Sequence, residues 1–190
     1  MYVGIHTASL PQALASAKRR IILHTAMYDG LANAEMSLAL SVALSQPSFE
    51  KLSIITVPFV SRKQWLDEFL MVLRPERSLA EIEHVFNASR DFIVRLAVRH
   101  EGLVEVYETQ AMPCAPCIIV DDTIFFGHYT HGPVSLDAGY WFSVTAPTAQ
   151  LFEWAAAGVV PDQATPRQKA SFRFVADCYH AMKSAKRMLL

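Results

Sequence analysis

The sequence lacks several features that would assign it to a familiar class of protein. No apolar run reaches the 18 or more residues that cross a bilayer, so we expect no integral membrane association. With 17 basic and 18 acidic residues, the net charge of −1 provides no overall attraction for nucleic acid or an anionic membrane. Three cysteines, an odd number, argue against a disulfide framework. The N-terminus has no secretory pattern, and we expect a cytoplasmic protein.

Standard motifs for nucleotide binding and hydrolysis are also missing. The chain contains no Gly-x-Gly-x-x-Gly, Walker A, Gly-x-Ser-x-Gly or His-Glu-x-x-His pattern. Binding of a nucleotide through a standard glycine loop is therefore disfavoured.

The apolar content is high. Of 190 residues, 52% are apolar and 18% are charged, and the mean hydropathy is +0.21. A chain of this length buries a substantial core without a metal or disulfide. The surplus of apolar side chains favours a surface covered by a second copy, so we expect a homodimer.

The first half of the sequence predicts a βαβ unit. An apolar run from Ile21 to Tyr28 is typical of a strand buried on both faces. A helix rich in Ala and Leu follows over 31–44, and a second strand spans 52–57. Two strands joined by a helix are expected to be parallel, with a right-handed crossover.

The remaining elements complete the predicted fold. Two short strands, 118–120 and 124–126, flank Asp121-Asp122 like the arms of a hairpin. Further strands are predicted at 103–108 and 140–144, and further helices at 10–18, 61–73, 78–100, 147–157 and 165–189. The prediction is one α/β domain over residues 1–190, a mixed β-sheet flanked by helices.

The densest group of reactive side chains lies at the open end of the hairpin. Cys114 and Cys117 precede its first arm, and His128 and His131 follow its second. Folding of the hairpin would bring these four potential zinc ligands together, although their spacing differs from that of a standard finger. The alternative is two small buried cysteines and two histidines in a surface loop. Cys-Ala-Pro-Cys also resembles a dithiol motif, but a strand follows it instead of an activating helix.

A second candidate site lies at the end of the first strand. His24 is within this strand, and Tyr28 and Asp29 are at its end, where ligands bind in open α/β sheets. These three residues are therefore predicted to contact a ligand. The alternative is a core histidine followed by an Asp-Gly turn.

Two segments resemble the phospholipase D superfamily. The first is the βαβ unit that opens with Ile21-Ile22-Leu23-His24, and the second runs from Cys114 through Asp121-Asp122 to Gly127-His128-Tyr129. The second is similar to the segment of that family that carries His-x-Lys-x4-Asp and a following Gly-Ser. In active members the His attacks phosphorus and the Lys binds the phosphoryl oxygens.

Aligning the signature aspartate on Asp121 puts Cys114 at the His position and Pro116 at the Lys position. Neither residue performs those roles, so the resemblance implies a degenerate site in which Asp121 and Gly127 keep their places. Active relatives with a single such domain dimerise, which also favours a homodimer.

Three functions follow as hypotheses. The first is a non-catalytic phospholipase D-like domain that binds a phosphate-bearing ligand or nucleic acid. Its predicted binding residues are His24, Tyr28, Asp29, Asp121 and Tyr129. The second is a phosphodiesterase-type hydrolase with a rebuilt site of His128, His131, Cys114 and Tyr129. The third is a zinc-binding interaction protein, whereas the first two need no cofactor.

Overall fold

The fold was analysed on a computed structural model that describes residues 1–59, 64–129 and 139–188. In these ranges the strands form one eight-stranded sheet. Their bounds are β1 Tyr2–Val3, β2 Arg20–His24, β3 Lys51–Thr56, β4 Val104–Glu108, β5 Cys117–Val120, β6 Thr123–Gly127, β7 Tyr140–Thr145 and β8 Lys186–Arg187.

The described ranges also contain six α-helices, and none of these is long and apolar enough to cross a membrane. They are α1 Leu10–Ala15, α2 Ala34–Leu44, α3 Gln64–Leu73, α4 Leu79–Arg99, α5 Thr148–Ala157 and α6 Pro166–Ser184. A short 3-10 helix at Ile5–Ala8 precedes α1, and another at Asp29–Leu31 precedes α2.

The sheet is mixed, in the order β1-β7-β6-β5-β2-β3-β4-β8. The central strands β2, β3 and β4 are parallel, and β5, β6 and β7 form an antiparallel meander beside β2. The predicted βαβ unit is therefore confirmed as β2-α2-β3, and the predicted hairpin is confirmed as β5-β6. The predicted α/β class with a mixed sheet is confirmed.

Helices cover both faces of the sheet. Ile21 and Leu23 of β2 pack toward α1, α2 and α4, whereas Ile22 packs toward α5 and α6. Both sets of side chains are almost fully buried. Because successive strand residues point to opposite faces, an uninterrupted apolar strand is what a sheet covered on both sides requires.

Several predicted elements are shorter than the sequence indicated; α1, for example, was expected to reach Lys18 but ends at Ala15. The first buried strand was expected to reach Tyr28, but β2 ends at His24. Beyond that point the Tyr28 side chain turns inward, and its hydroxyl donates to the carbonyls of Leu23 at 3.1 Å and Ile55 at 2.7 Å.

The last helix was expected to continue to Leu189, but α6 ends at Ser184. Ala185 is extended, and Lys186–Arg187 then pair with β4 as an antiparallel edge strand. Glu105 of β4 forms ion pairs with Arg187 of β8 at 2.7 Å and with Lys51 of β3 at 3.0 Å. Helical periodicity alone does not reveal an edge strand of two residues.

Candidate functional site

Asp121, predicted to bind a ligand, holds the β5-β6 turn against the chain that enters β2. It adopts a left-handed conformation with φ of 47°. Its carboxylate accepts hydrogen bonds from the backbone N–H groups of Lys18, Arg19 and Arg20 at 2.8, 2.9 and 3.0 Å. Partial burial acts to raise the pKa of Asp121, but the three donors and the Arg19 charge outweigh it and lower that pKa. The carboxylate is therefore occupied within the fold.

Tyr28 and Tyr129, also predicted to bind a ligand, are both buried. The Tyr129 hydroxyl accepts a hydrogen bond from the Ala26 N–H at 3.0 Å, and its ring meets Phe69 edge-on at 5.4 Å. Burial is the main cause that raises the pKa of each phenol. Both hydroxyls thus stabilise the segment that leaves β2.

Asp29 pairs with a buried arginine. Arg74, whose side chain is 7% exposed, reaches an Asp29 oxygen at 3.2 Å. Its guanidinium also donates to the Leu73 carbonyl. The two residues line a cavity of about 30 Å³, which has room for roughly one water molecule. This pair closes the carboxyl end of β2 and leaves little space for a ligand.

His24 belongs to a different cluster from Tyr28 and Asp29. It is buried at the end of β2, beside Cys117 of β5 in the strand register. Its Nδ1 lies 3.9 Å from the Sγ atom of Cys178 in α6. The thiol of Cys178 also interacts with that of Cys117, and this contact, together with burial, raises the pKa of Cys178 well above its ordinary value. His24 and two thiols therefore meet between the sheet and α6.

The predicted zinc ligands are only partly brought together. Cys117 pairs with Phe126, and the Gly127 N–H donates to the Pro116 carbonyl, so the hairpin does align its two ends. Cys117 is buried, however, whereas Cys114 and His128 are exposed. Among the described residues, no group of three His, Cys, Asp or Glu side chains is placed to hold a metal ion. His131 lies outside those residues, and the zinc site stays a prediction.

Gly127 has a steric role at the end of β6. A Cβ atom at this position would lie 3.0 Å from the ring of Trp141 on β7. Only glycine allows the two strands to approach this closely without displacing the ring.

A large cavity lies between α6 and the start of β5. We call it the α6 cleft. It has a volume of about 590 Å³, within the range of small-molecule sites. Its lining residues are Cys114, Ala115, Cys117, Ala155, Gly158, Val160, Phe172, Arg173, Phe174, Ala176, Asp177 and His180.

A second cavity of about 170 Å³ adjoins the α6 cleft. Cys114, Asp177 and His180 line both cavities, and His24 and Ser184 line the second. Cys114, a candidate from the sequence, therefore lies opposite polar side chains that the sequence analysis did not select.

These missed residues all come from α6. Arg173, Asp177 and His180 are exposed and follow one another at spacings of four and three, which places them on one helix face. That periodicity was readable from the sequence. Its position beside Cys114 was not, because the two segments are joined only by the packing of α6 on the sheet.

Comparison with known proteins finds no matching family model and no matching curated protein. Among solved structures, the fold is similar to TrmBL2, an archaeal chromatin protein with a novel mode of DNA binding. The TM-score is 0.44 and the identity 16%, with 80% of this chain and 48% of that chain covered.

The fold is also similar to the phosphatidylserine synthase of Haemophilus influenzae Rd KW20. Here the TM-score is 0.39 and the identity 12%, with 96% of this chain and 43% of that chain covered. The chain thus spans less than half the length of either protein. These values do not assign it to a family.

Proposed function

We propose that this chain is a phospholipase D-like domain without a catalytic nucleophile, which binds a phosphate ester in the α6 cleft. One observation carries the proposal. Arg173 and His180 line the same cleft as Cys114, the residue at the position where the resemblance expects the attacking histidine. A guanidinium and an imidazole therefore line the cleft at the position where, by the resemblance, active relatives handle phosphate.

The lining of the cleft suits an organic phosphate. The planar guanidinium of Arg173 can donate two parallel hydrogen bonds to phosphate oxygens. Phe172 and Phe174 provide apolar surface for the rest of the ligand. Asp177 repels a phosphate placed close to it but accepts hydrogen bonds from hydroxyl groups. The favoured ligand is a phosphate ester that also carries hydroxyls, such as a nucleotide or glycerol phosphate.

Loss of the signature residues argues against phosphodiester cleavage. Pro116 has no amine to hold phosphoryl oxygens, and the Tyr129 hydroxyl is already used by the backbone. We therefore expect no turnover of bis-p-nitrophenyl phosphate, with or without added zinc. Turnover by the wild type that disappears in Cys114→Ala would favour the hydrolase with a rebuilt site. Stoichiometric zinc in the purified protein would favour the zinc-binding hypothesis.

Calorimetric titration with adenosine monophosphate, glycerol phosphate and a short single-stranded oligonucleotide tests the binding proposal. Arg173→Gln should weaken binding by about tenfold or more, because it removes a charged hydrogen-bond donor. Arg167→Gln is the matched control, since it makes the same change at an exposed position of α6 that does not line the cleft. We expect it to change affinity less than about twofold.

Each result decides between ligand classes or against the site. Binding of the oligonucleotide alone would identify a nucleic-acid site. If the two substitutions changed the affinity equally, the ligand would bind outside the α6 cleft. If no probe bound, the proposal would be refuted.

A further inference from the structure

All three cysteines of the chain converge at the α6 cleft. Cys114 is exposed, and Cys117 is buried, yet both line the cleft. Cys178 of α6 does not line the cleft but is fully buried behind it, in one apolar cluster with Cys117. The structure thus arranges three thiols from the surface to the interior.

Neither Cys117 nor Cys178 is assigned a contact to the phosphate ester proposed above. Cys117 and Cys178 contact each other across the boundary between the sheet and α6. His24 lies next to both, with its Nδ1 3.9 Å from the Cys178 Sγ and its backbone paired with Cys117. An imidazole beside two thiols provides a base that can accept a thiol proton.

We propose that these cysteines form a peroxide-oxidisable site that ends in a disulfide between Cys117 and Cys178. Hydrogen peroxide is the oxidant and is reduced to water. The product joins β5 covalently to α6, the helix that forms one wall of the cleft.

The first step takes place at the exposed thiol. The Cys114 thiolate attacks one peroxide oxygen and breaks the O–O bond, which gives a sulfenic acid and, after protonation, water. The Cys117 thiol then attacks the Cys114 sulfur, and a second water leaves as the Cys114–Cys117 disulfide forms. Both residues line the same cleft and are three positions apart along the chain.

The second disulfide forms by exchange. His24 Nδ1 accepts the Cys178 proton, and the Cys178 thiolate attacks the Cys117 sulfur. The Cys114–Cys117 bond breaks, Cys114 leaves as a thiolate, and the Cys117–Cys178 bond forms. Cys178 is fully buried, which shields its sulfur from direct attack by the oxidant. Entry of the oxidant through Cys114 is therefore required.

Peptide mapping of the intact protein tests this order of events. The reduced wild type is treated with hydrogen peroxide, alkylated and digested without reductant. We expect a Cys117–Cys178 disulfide, with Cys114 recovered as an alkylated thiol. Cys114→Ser should slow formation of this disulfide by at least about tenfold, because it removes the accessible thiol. Cys178→Ala should stop the reaction at the Cys114–Cys117 disulfide.

Two results would overturn the proposal. One is wild-type protein in which Cys114 is oxidised to the sulfinic or sulfonic acid while Cys117 and Cys178 are recovered as thiols. The other is Cys114→Ser protein that forms the inner disulfide at the wild-type rate. The peptide map of the wild-type protein is informative even if a cysteine variant fails to fold. It is also independent of phosphate binding, so the two proposals fail separately.

Discussion

At the scale of single residues, Asp121 holds the β5-β6 turn against the chain that enters β2. Its carboxylate accepts hydrogen bonds from three backbone N–H groups where the chain enters β2. A side chain with this many backbone bonds has little capacity for a ligand. The position retained in the resemblance therefore supports the fold of the β5-β6 turn.

Asp121→Asn should lower the free energy of unfolding by about 1–3 kcal/mol. Asparagine tolerates the left-handed backbone, but its amide has one acceptor oxygen in place of two. Chemical denaturation measures the loss. Asp91→Asn is the control, because it removes an exposed ion pair with Arg90 and should cost no more than about 1 kcal/mol. Equal losses in the two variants would contradict the anchoring role.

The stabilisation from Asp121 should depend on pH in one direction. Since folding lowers the pKa of this carboxyl, its contribution is present above the unfolded pKa of about 3.9 and is lost as pH falls through the folded value. Protonated aspartate then resembles asparagine. The stability gap between wild type and Asp121→Asn should narrow on acidification from about pH 7 to below about pH 3. A gap independent of pH would contradict a role for the charge.

At the scale of elements, α6 decides the shape of the candidate site. A capping box begins the helix, with the Thr165 hydroxyl accepting from the Gln168 N–H at 3.2 Å and the Gln168 side chain accepting from the Thr165 N–H at 2.9 Å. Val175 and Cys178 then bury one face against the sheet, while Arg173, Asp177 and His180 border the cleft. Loss of this capping box should therefore destabilise α6, the helix that forms one wall of the cleft.

Thr165→Ala should destabilise the fold by about 1 kcal/mol through loss of this cap. Ser78→Ala is the matched control, because Ser78 forms the same kind of capping box with Glu81 on α4. We expect a similar loss of stability in both variants. Only Thr165→Ala should increase alkylation of the buried Cys178 thiol, as measured by mass spectrometry. Equal labelling in the two variants would contradict a local effect on the cleft.

At the scale of the whole molecule, the apolar content favours self-association. Val3 and Tyr140 are paired positions on β1 and β7 and are 60% and 57% exposed, and Phe142 is 39% exposed two residues further along β7. Two-residue spacing places these side chains on one face near the edge of the sheet. A second copy of the chain would remove this apolar surface from water.

We therefore expect a homodimer, with a mass twice 21.2 kDa in sedimentation equilibrium. Tyr140→Lys should shift the equilibrium toward monomer, because it puts a charge in the apolar contact. Val98→Lys is the control, since Val98 is 64% exposed on α4. A wild type that sediments as a monomer, or a dimer that neither substitution affects, would contradict this contact.

The secondary structure was largely readable from the sequence. Hydrophobic period and turn residues located the β2-α2-β3 unit, the β5-β6 hairpin and the capped start of α4, because each depends on neighbours along the chain. The same local signals missed β1 and β8. Each has only two residues and forms because a distant strand supplies its hydrogen bonds.

The sequence by itself determined the α/β class and the position of Cys114 at the end of the hairpin. Only the tertiary structure decided which side chains meet there. It turned Tyr28 into the core, and it brought Cys178 to His24 and Cys117. It also placed Arg173 and His180 beside Cys114. The physical reason is that helix and strand periods are local, whereas the packing of α6 on the sheet depends on how the whole apolar core is filled.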